Sequence, residues 1–147
     1  MTSEYCVRPL HMDDALRAYS LVQVAAPRFS ADDWAQVVAS ADRWTLVSLK
    51  DPPGYVRGMA VYRIGTHPNA GRLMDIPLFV AASVIDDVTI ADVLFTSLRR
   101  RSAGCDFMRL WGRLPSNFAE MENEDKFLRW DHGLMVRVDR KQSPALL

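Results

Sequence analysis

The chain has few of the residues that mark metal, redox or membrane chemistry. Cysteine occurs twice, as Cys6 and Cys105, which form no metal-spaced pair and suit a reduced, cytoplasmic protein better than a disulfide-stapled one. His11, His67 and His132 are scattered, with no second ligand at helical or hairpin spacing, so no metal site is expected. There is no excess charge of either sign, 18 basic against 18 acidic residues. A nucleic-acid partner is therefore not expected, because phosphate neutralisation asks for a basic surplus. The longest apolar run, IPLFVAASVI, is too short to cross a bilayer, and the opening MTSEYCVRPL has no apolar core of a signal peptide. No membrane partner is expected. Repeats, low-complexity segments and long linkers are missing too. The 147 residues read as a single domain, 1–147, with the tail QSPALL (142–147) frayed.

What is present is a globular pattern, 49% apolar and 24% charged, enough for a sizeable core. YCVRPL alternates and then meets proline, as a short strand does. HMDDALRAYSLVQVAA opens acidic, carries spaced apolar residues and stops at Pro27, which predicts a helix. SADDWAQVVASA predicts a second, with Ser30 as N-cap, Asp33 three residues on, and Trp34, Val37 and Val38 on one face. WTLVSLK and GMAVYRIG read as an antiparallel pair around the turn DPPGYVRG. After the turn THPNAGR, LMDIPLFVAAS is a third strand of the series. Its Pro77 cannot donate to a ladder and belongs at an edge or a bulge. The helix after Asp86 and Asp87 sets Ile90, Val93, Leu94 and Leu98 on one face and ends in three arginines and Gly104. FMRLWGRL is a strand, NFAEMENEDKFLRW a helix and HGLMVRVDRK a final strand. The order β-α-α-β-β-β-α-β-α-β predicts an α+β (mixed α/β) fold on a largely antiparallel sheet flanked by helices.

In this order the chain resembles the GCN5-related N-acetyltransferases over nearly its whole length. VRPLHMDDALRAYSLV is similar to that family's first strand and helix, and MDIPLFVAAS to its fourth strand. RWDHGL resembles its late aromatic-x-x-x-Gly-Phe signature, with Gly133 and Leu134 in the last two places. The family's pyrophosphate motif, Gln/Arg-x-x-Gly-x-Gly/Ala at the start of the third helix, falls on DDVTIA. There Ala91 matches, Asp86 stands in the Gln/Arg place and Thr89 in that of the first glycine. The resemblance implies an N-acetyltransferase that uses acetyl-CoA as co-substrate and a small-molecule or protein amine as acceptor. A homodimer is compatible with it.

The resemblance also implies roles for residues. Phe79, Val80 and Ala81 would line the pantetheine arm through their main chain, and Pro77 would make the bulge that opens that slot. Val88, Thr89, Ile90 and Ala91 would face the pyrophosphate, and Asn117 would take the asparagine place after the fifth strand. Asp75 would be the general base; otherwise it is an exposed residue at a strand start. The family's tyrosine on the last helix has no counterpart, because no tyrosine follows Tyr62, and Arg129 stands near its place. Phe29 and Trp34 fall in the region that shapes the acceptor pocket, which would then be partly aromatic. The departures at the motif have physical weight. A carboxylate about 4 Å from a phosphate oxygen costs about 1 kcal/mol in water and about 4 at an effective dielectric near 20. A micromolar ligand has only about 8 kcal/mol of binding energy. A relative that has lost catalysis and serves as a binding or dimerisation module is the alternative.

Overall fold

The computed structural model describes residues 5–82, 87–129 and 132–138. Strand β1 (Cys6–Pro9) leads through a 3-10 turn (Met12–Asp14) to α1 (Ala15–Ala25) and α2 (Ala31–Ala39). Then come β2 (Thr45–Lys50), β3 (Val56–His67), β4 (Gly71–Ala81), α3 (Asp87–Arg101) and β5 (Phe107–Leu110). Two short helices, α4 (Phe118–Met121) and α5 (Glu124–Leu128), precede β6 (Leu134–Arg137). The six strands lie in chain order across one sheet. Neighbours are antiparallel except β4 and β5, which are parallel because α3 carries the chain back across the sheet. The expected order of strands is observed, with one helix of the series divided.

The local chemistry explains the boundaries. Ser30 Oγ accepts the Asp33 N–H at 3.0 Å and Asp33 Oδ2 accepts the Ser30 N–H at 3.0 Å, the reciprocal cap that the spacing predicts. The β3–β4 turn is tighter than THPNAGR suggests, because both strands run into it. His67 closes it: Nδ1 accepts the N–H groups of Asn69 (3.0 Å) and Ala70 (3.1 Å). With Nδ1 accepting, the proton sits on Nε2, which donates to the Leu128 carbonyl at 3.0 Å and ties the hairpin to α5. The helix expected over NFAEMENEDKFLRW is two helices. Asn117 caps the first by accepting from Glu120 N (2.8 Å), and Asn123 caps the second by accepting from Lys126 N (3.2 Å). A mid-segment asparagine offers the backbone this alternative, and the helix restarts there.

One irregularity organises the core. The β3–β4 register runs Val61↔Leu78 and then Arg63↔Asp75, so Tyr62 faces both Ile76 and Pro77. This is a bulge on β4, at the proline and away from any sheet edge. An extra residue reverses the side-chain alternation. Met74 and Ile76 pack with Ile90, Leu94 and Leu98 of α3, whereas Leu78 and Val80 pack with Val22, Trp34 and Val37 of α1 and α2. Val93, expected on the buried face of α3, is only half-buried at its margin. Trp34, Trp44 and Trp111 are buried, as expected of core tryptophans; Trp130 lies outside the described residues. No helix among the described residues is long and apolar enough to cross a membrane.

Candidate functional site: a fork between two parallel strands

The β4–β5 ladder runs from Leu73↔Phe107 to Ile76↔Leu110. Its last rung is the Trp111 N–H on the Ile76 carbonyl at 3.1 Å. Past the bulge β4 continues to Ala81, and among the described residues it has no partner strand on that side. The Ala82 N–H donates to the Arg57 carbonyl (2.9 Å). By the two-residue alternation of a ladder, the main-chain groups of Leu78 and Val80 therefore turn to β3. Those of Phe79 and Ala81 turn to the side that β5 has left. The site is thus an unpaired stretch of backbone, built by one bulge and one short strand.

At the far end of this stretch α3 begins. Val88 is exposed, Thr89 and Ala91 are half-buried, and Ile90 is fully buried. Ile90 packs so closely on β3 that a Cβ placed on Gly58 would lie 3.3 Å from its Cγ2. Asp86 and the Asp87 side chain lie outside the described residues, as does the tail 142–147. Asn117 is exposed, with its side-chain oxygen committed to the cap of α4.

A cavity of about 590 Å³ opens between residues 25–28 of the α1–α2 connection and residues 112–116 that follow β5, and Ala26 and Leu114 of its wall share a core cluster with Leu78 and Val80 of β4. Its wall is small and apolar apart from Arg28, Arg113 and Ser116. Phe29 and Trp34 do not line it. Phe29 is fully buried, and Trp34 spends its indole N–H on the Ala15 carbonyl at 2.9 Å. Both aromatics serve the core, and the wall of this cavity is alanine, proline, leucine and arginine with Gly112 and Ser116.

Asp75 stands in the middle of β4, next to the last rung, and not at an exposed strand start. It is 0% exposed. Its Oδ1 accepts from Arg109 Nε at 2.8 Å and from Trp111 Nε1 at 3.0 Å. Arg109, also 0% exposed, donates from Nη1 to the Arg129 carbonyl (2.8 Å) and from Nη2 to the Phe127 carbonyl (2.9 Å). One guanidinium thus joins two strands to the end of α5. Arg63 is the cross-strand neighbour of Asp75 on β3, its guanidinium stacked over Trp44 (5.0 Å) and Phe127 (4.5 Å). Among the described residues, Asp75 Oδ2 and the Arg63 Nε and Nη2 are buried without a hydrogen-bond partner. Asp75 therefore keeps one buried acceptor oxygen without a partner among the described residues.

His132 closes the layer. It meets Trp111 edge-on at 5.3 Å, and its Nε2 lies 2.7 Å from the Lys126 carbonyl. Burial, followed by the charge of Arg109, holds its imidazole below the usual histidine range, against the Lys126 carbonyl and Asp75. At the start of α2, burial works against the Asp33 carboxylate. The N–H groups of Phe118 and Ser30 and the Ser30 hydroxyl outweigh it and hold the group below the usual carboxylate range.

Sequence reading missed Arg109, Arg63 and Phe127 as a set. The signal was there: an Asp within LMDIP and an Arg within FMRLW are single charges inside apolar strands. Such charges are rarely buried unless they meet.

The chain has the fold of the GCN5-related N-acetyltransferases. A GNAT-family acetyltransferase from Staphylococcus aureus Mu50 superposes with a TM-score of 0.63 at 7% identity, over 92% of this chain and 99% of that one. Arabidopsis thaliana Naa50, solved with the bisubstrate analogue CoA-Ac-MVNAL, gives 0.55 at 11%, over 73% and 71%. A glucosamine N-acetyltransferase region of a fungal multi-domain β-N-acetylglucosaminidase gives 0.61 at 14%. There the match covers 72% of this chain but only 13% of the fungal one. No family model matches the sequence, and no curated protein matches it.

Proposed function

We propose that the protein is an N-acetyltransferase that moves an acetyl group from acetyl-CoA to a primary amine of a small molecule or a protein. The observation that carries this reading is the fork, where β4 past Ile76 has no partner strand on one side among the described residues, while the chain after β5 turns away into a cavity wall. An amide-bearing pantetheine arm suits such an edge, and Phe79 and Ala81 offer the groups, with Val80 between them. The first turn of α3, at Val88, Thr89, Ile90 and Ala91, would face the pyrophosphate, and Asn117 would flank the arm. Acetyl-CoA, when bound, supplies an activated acyl thioester. The chain's own task is to hold the amine in line, offer an N–H to the developing oxyanion and accept a proton. Asp75 is the proposed base, through Oδ2, directly or through a water.

One observation favours the second reading, a fold relative that binds without catalysing. Asp75 is fully buried with one oxygen already committed to Arg109 and Trp111, and no tyrosine follows Tyr62 to protonate a leaving thiolate. A thermal shift with acetyl-CoA, followed by transfer to an amine panel, separates the two. Ligand at about 100-fold its Kd adds about 2.7 kcal/mol, well above detection. No shift at millimolar acetyl-CoA would sink both the enzyme and any CoA-binding form of the module. A shift without transfer to any amine leaves the module.

A further inference from the structure

We infer that the cavity between the α1–α2 connection and residues 112–116 is a subsite for an anionic group on the acceptor, so that the favoured amines carry a carboxylate or phosphate. This rests on the acetyltransferase reading and names its substrate class. The chain is balanced at 18 charges of each sign, yet the cavity wall holds two cations, Arg28 and Arg113, and no acidic residue. Among the described residues neither guanidinium has a hydrogen bond or ion pair to a protein group. This contrasts with Arg43, Arg57 and Arg109, each within 3.0 Å of a carboxylate oxygen. Glu120 is the acidic group nearest in effect to Arg113. It is already held by Lys126 Nζ at 3.0 Å and the Ser116 N–H at 2.7 Å. The main-chain N–H groups of residues 112–114 likewise have no protein acceptor among the described residues. The wall is thus a collection of unspent donors.

The same donors could in principle serve a phosphate of the cofactor. The fold argues for the acceptor. Ala26 and Leu114 of the cavity wall pack with Leu78 and Val80 on the α1–α2 face of the sheet. The start of α3, where the pyrophosphate is proposed, belongs with the opposite face. A guanidinium meeting a carboxylate or phosphate makes paired, charge-assisted hydrogen bonds. Loss of one such contact weakens binding about tenfold or more.

The test uses matched amines: phosphoethanolamine against ethanolamine, and an amino acid against its amide. Each is titrated calorimetrically into the chain saturated with CoA and into the chain alone, so that binding is read whether or not acetyl transfer occurs. The anionic member should bind about tenfold or more tightly. Arg28→Gln/Arg113→Gln should erase that preference while leaving the Kd for CoA unchanged. Equal binding within each pair, or a preference that survives the double substitution, overturns the inference. So does a weaker Kd for CoA in the variant that disappears when dephospho-CoA is used, because the arginines would then serve the cofactor. Failure of CoA itself to bind counts against the acetyltransferase reading and is seen separately from the amine titration.

Discussion

Removing the Arg109 side chain should cost more than any exposed substitution in the protein. In Arg109→Met, the carboxylate of Asp75 stays at 0% exposure with only the Trp111 N–H for company. Breaking a buried ion pair from one side costs about 3–5 kcal/mol, because the remaining charge has no water to turn to. The carbonyls of Phe127 and Arg129 lose their donor as well. Arg129 is exposed and water can replace the guanidinium there. Phe127 is buried, so its carbonyl adds about 1–3 kcal/mol. The sum, about 4–8 kcal/mol, is comparable with the whole stability of a typical domain, about 5–15. Urea unfolding followed by tryptophan fluorescence reads it directly. Asp75→Leu/Arg109→Met supplies the control: with both charges gone, the double variant should be more stable than the sum of the single losses implies, by about 2 kcal/mol or more. Should the singles prove unfolded, a folded double variant makes the same point. A loss below about 1 kcal/mol in Arg109→Met, or strictly additive losses, would refute the claim that this pair joins the sheet to α5.

Two further outcomes follow from nearby residues. Gly133 has φ +81°, and a Cβ there would lie 2.5 Å from the Leu110 carbonyl oxygen, so Gly133→Ala should lose about 1–2 kcal/mol from backbone strain alone. A melting temperature lower by about 3 °C or more would show it, and an unchanged one would contradict the local geometry. Burial lowers the pKa of His132 in the folded chain below the ordinary 6.5 of the unfolded one. The unfolded state then binds the proton first, and stability present above 6.5 is lost as pH falls from there toward the depressed folded value. Comparing urea midpoints on both sides of that window should show the loss in the native chain and its disappearance in His132→Phe, which keeps a ring against Trp111. An identical pH profile in the two would remove His132 from the account.

Much of the fold was readable because it is written locally. The Ser30–Asp33 cap, the apolar stripe of α3 at Ile90, Leu94 and Leu98, and the alternation in β2 and β3 are each a short-range pattern. Pro77 was readable too, as a residue no plain ladder tolerates. What escaped was non-local. That Asp75 is buried depends on Arg109, 34 residues away, coming to its side in a parallel pairing. Nothing inside LMDIP says so. The division of the last helical segment turned on whether Asn123 would cap or lie along a helix, a choice settled by competing bonds of about equal worth. At the site, the backbone role of Phe79 to Ala81 could be proposed because it rests on topology. The cavity wall could not be foreseen, because Arg28 and Arg113 lie 85 positions apart with no pattern linking them.

The bulge at Pro77 also sets a rule for recombining this strand with others. Parity of position means opposite things on its two sides: an even-numbered residue faces α3 before it and α1 after it. A chimera that takes the first half of β4 from this chain and the second half from a strand without the extra residue would be out of phase from the junction onward. Positions 78 and 80 would face α3 and positions 79 and 81 the α1–α2 side, the reverse of this chain, and the backbone groups that point away from β3 would turn toward it. The single residue therefore behaves as a phase marker, and any graft across it must be spliced as a unit.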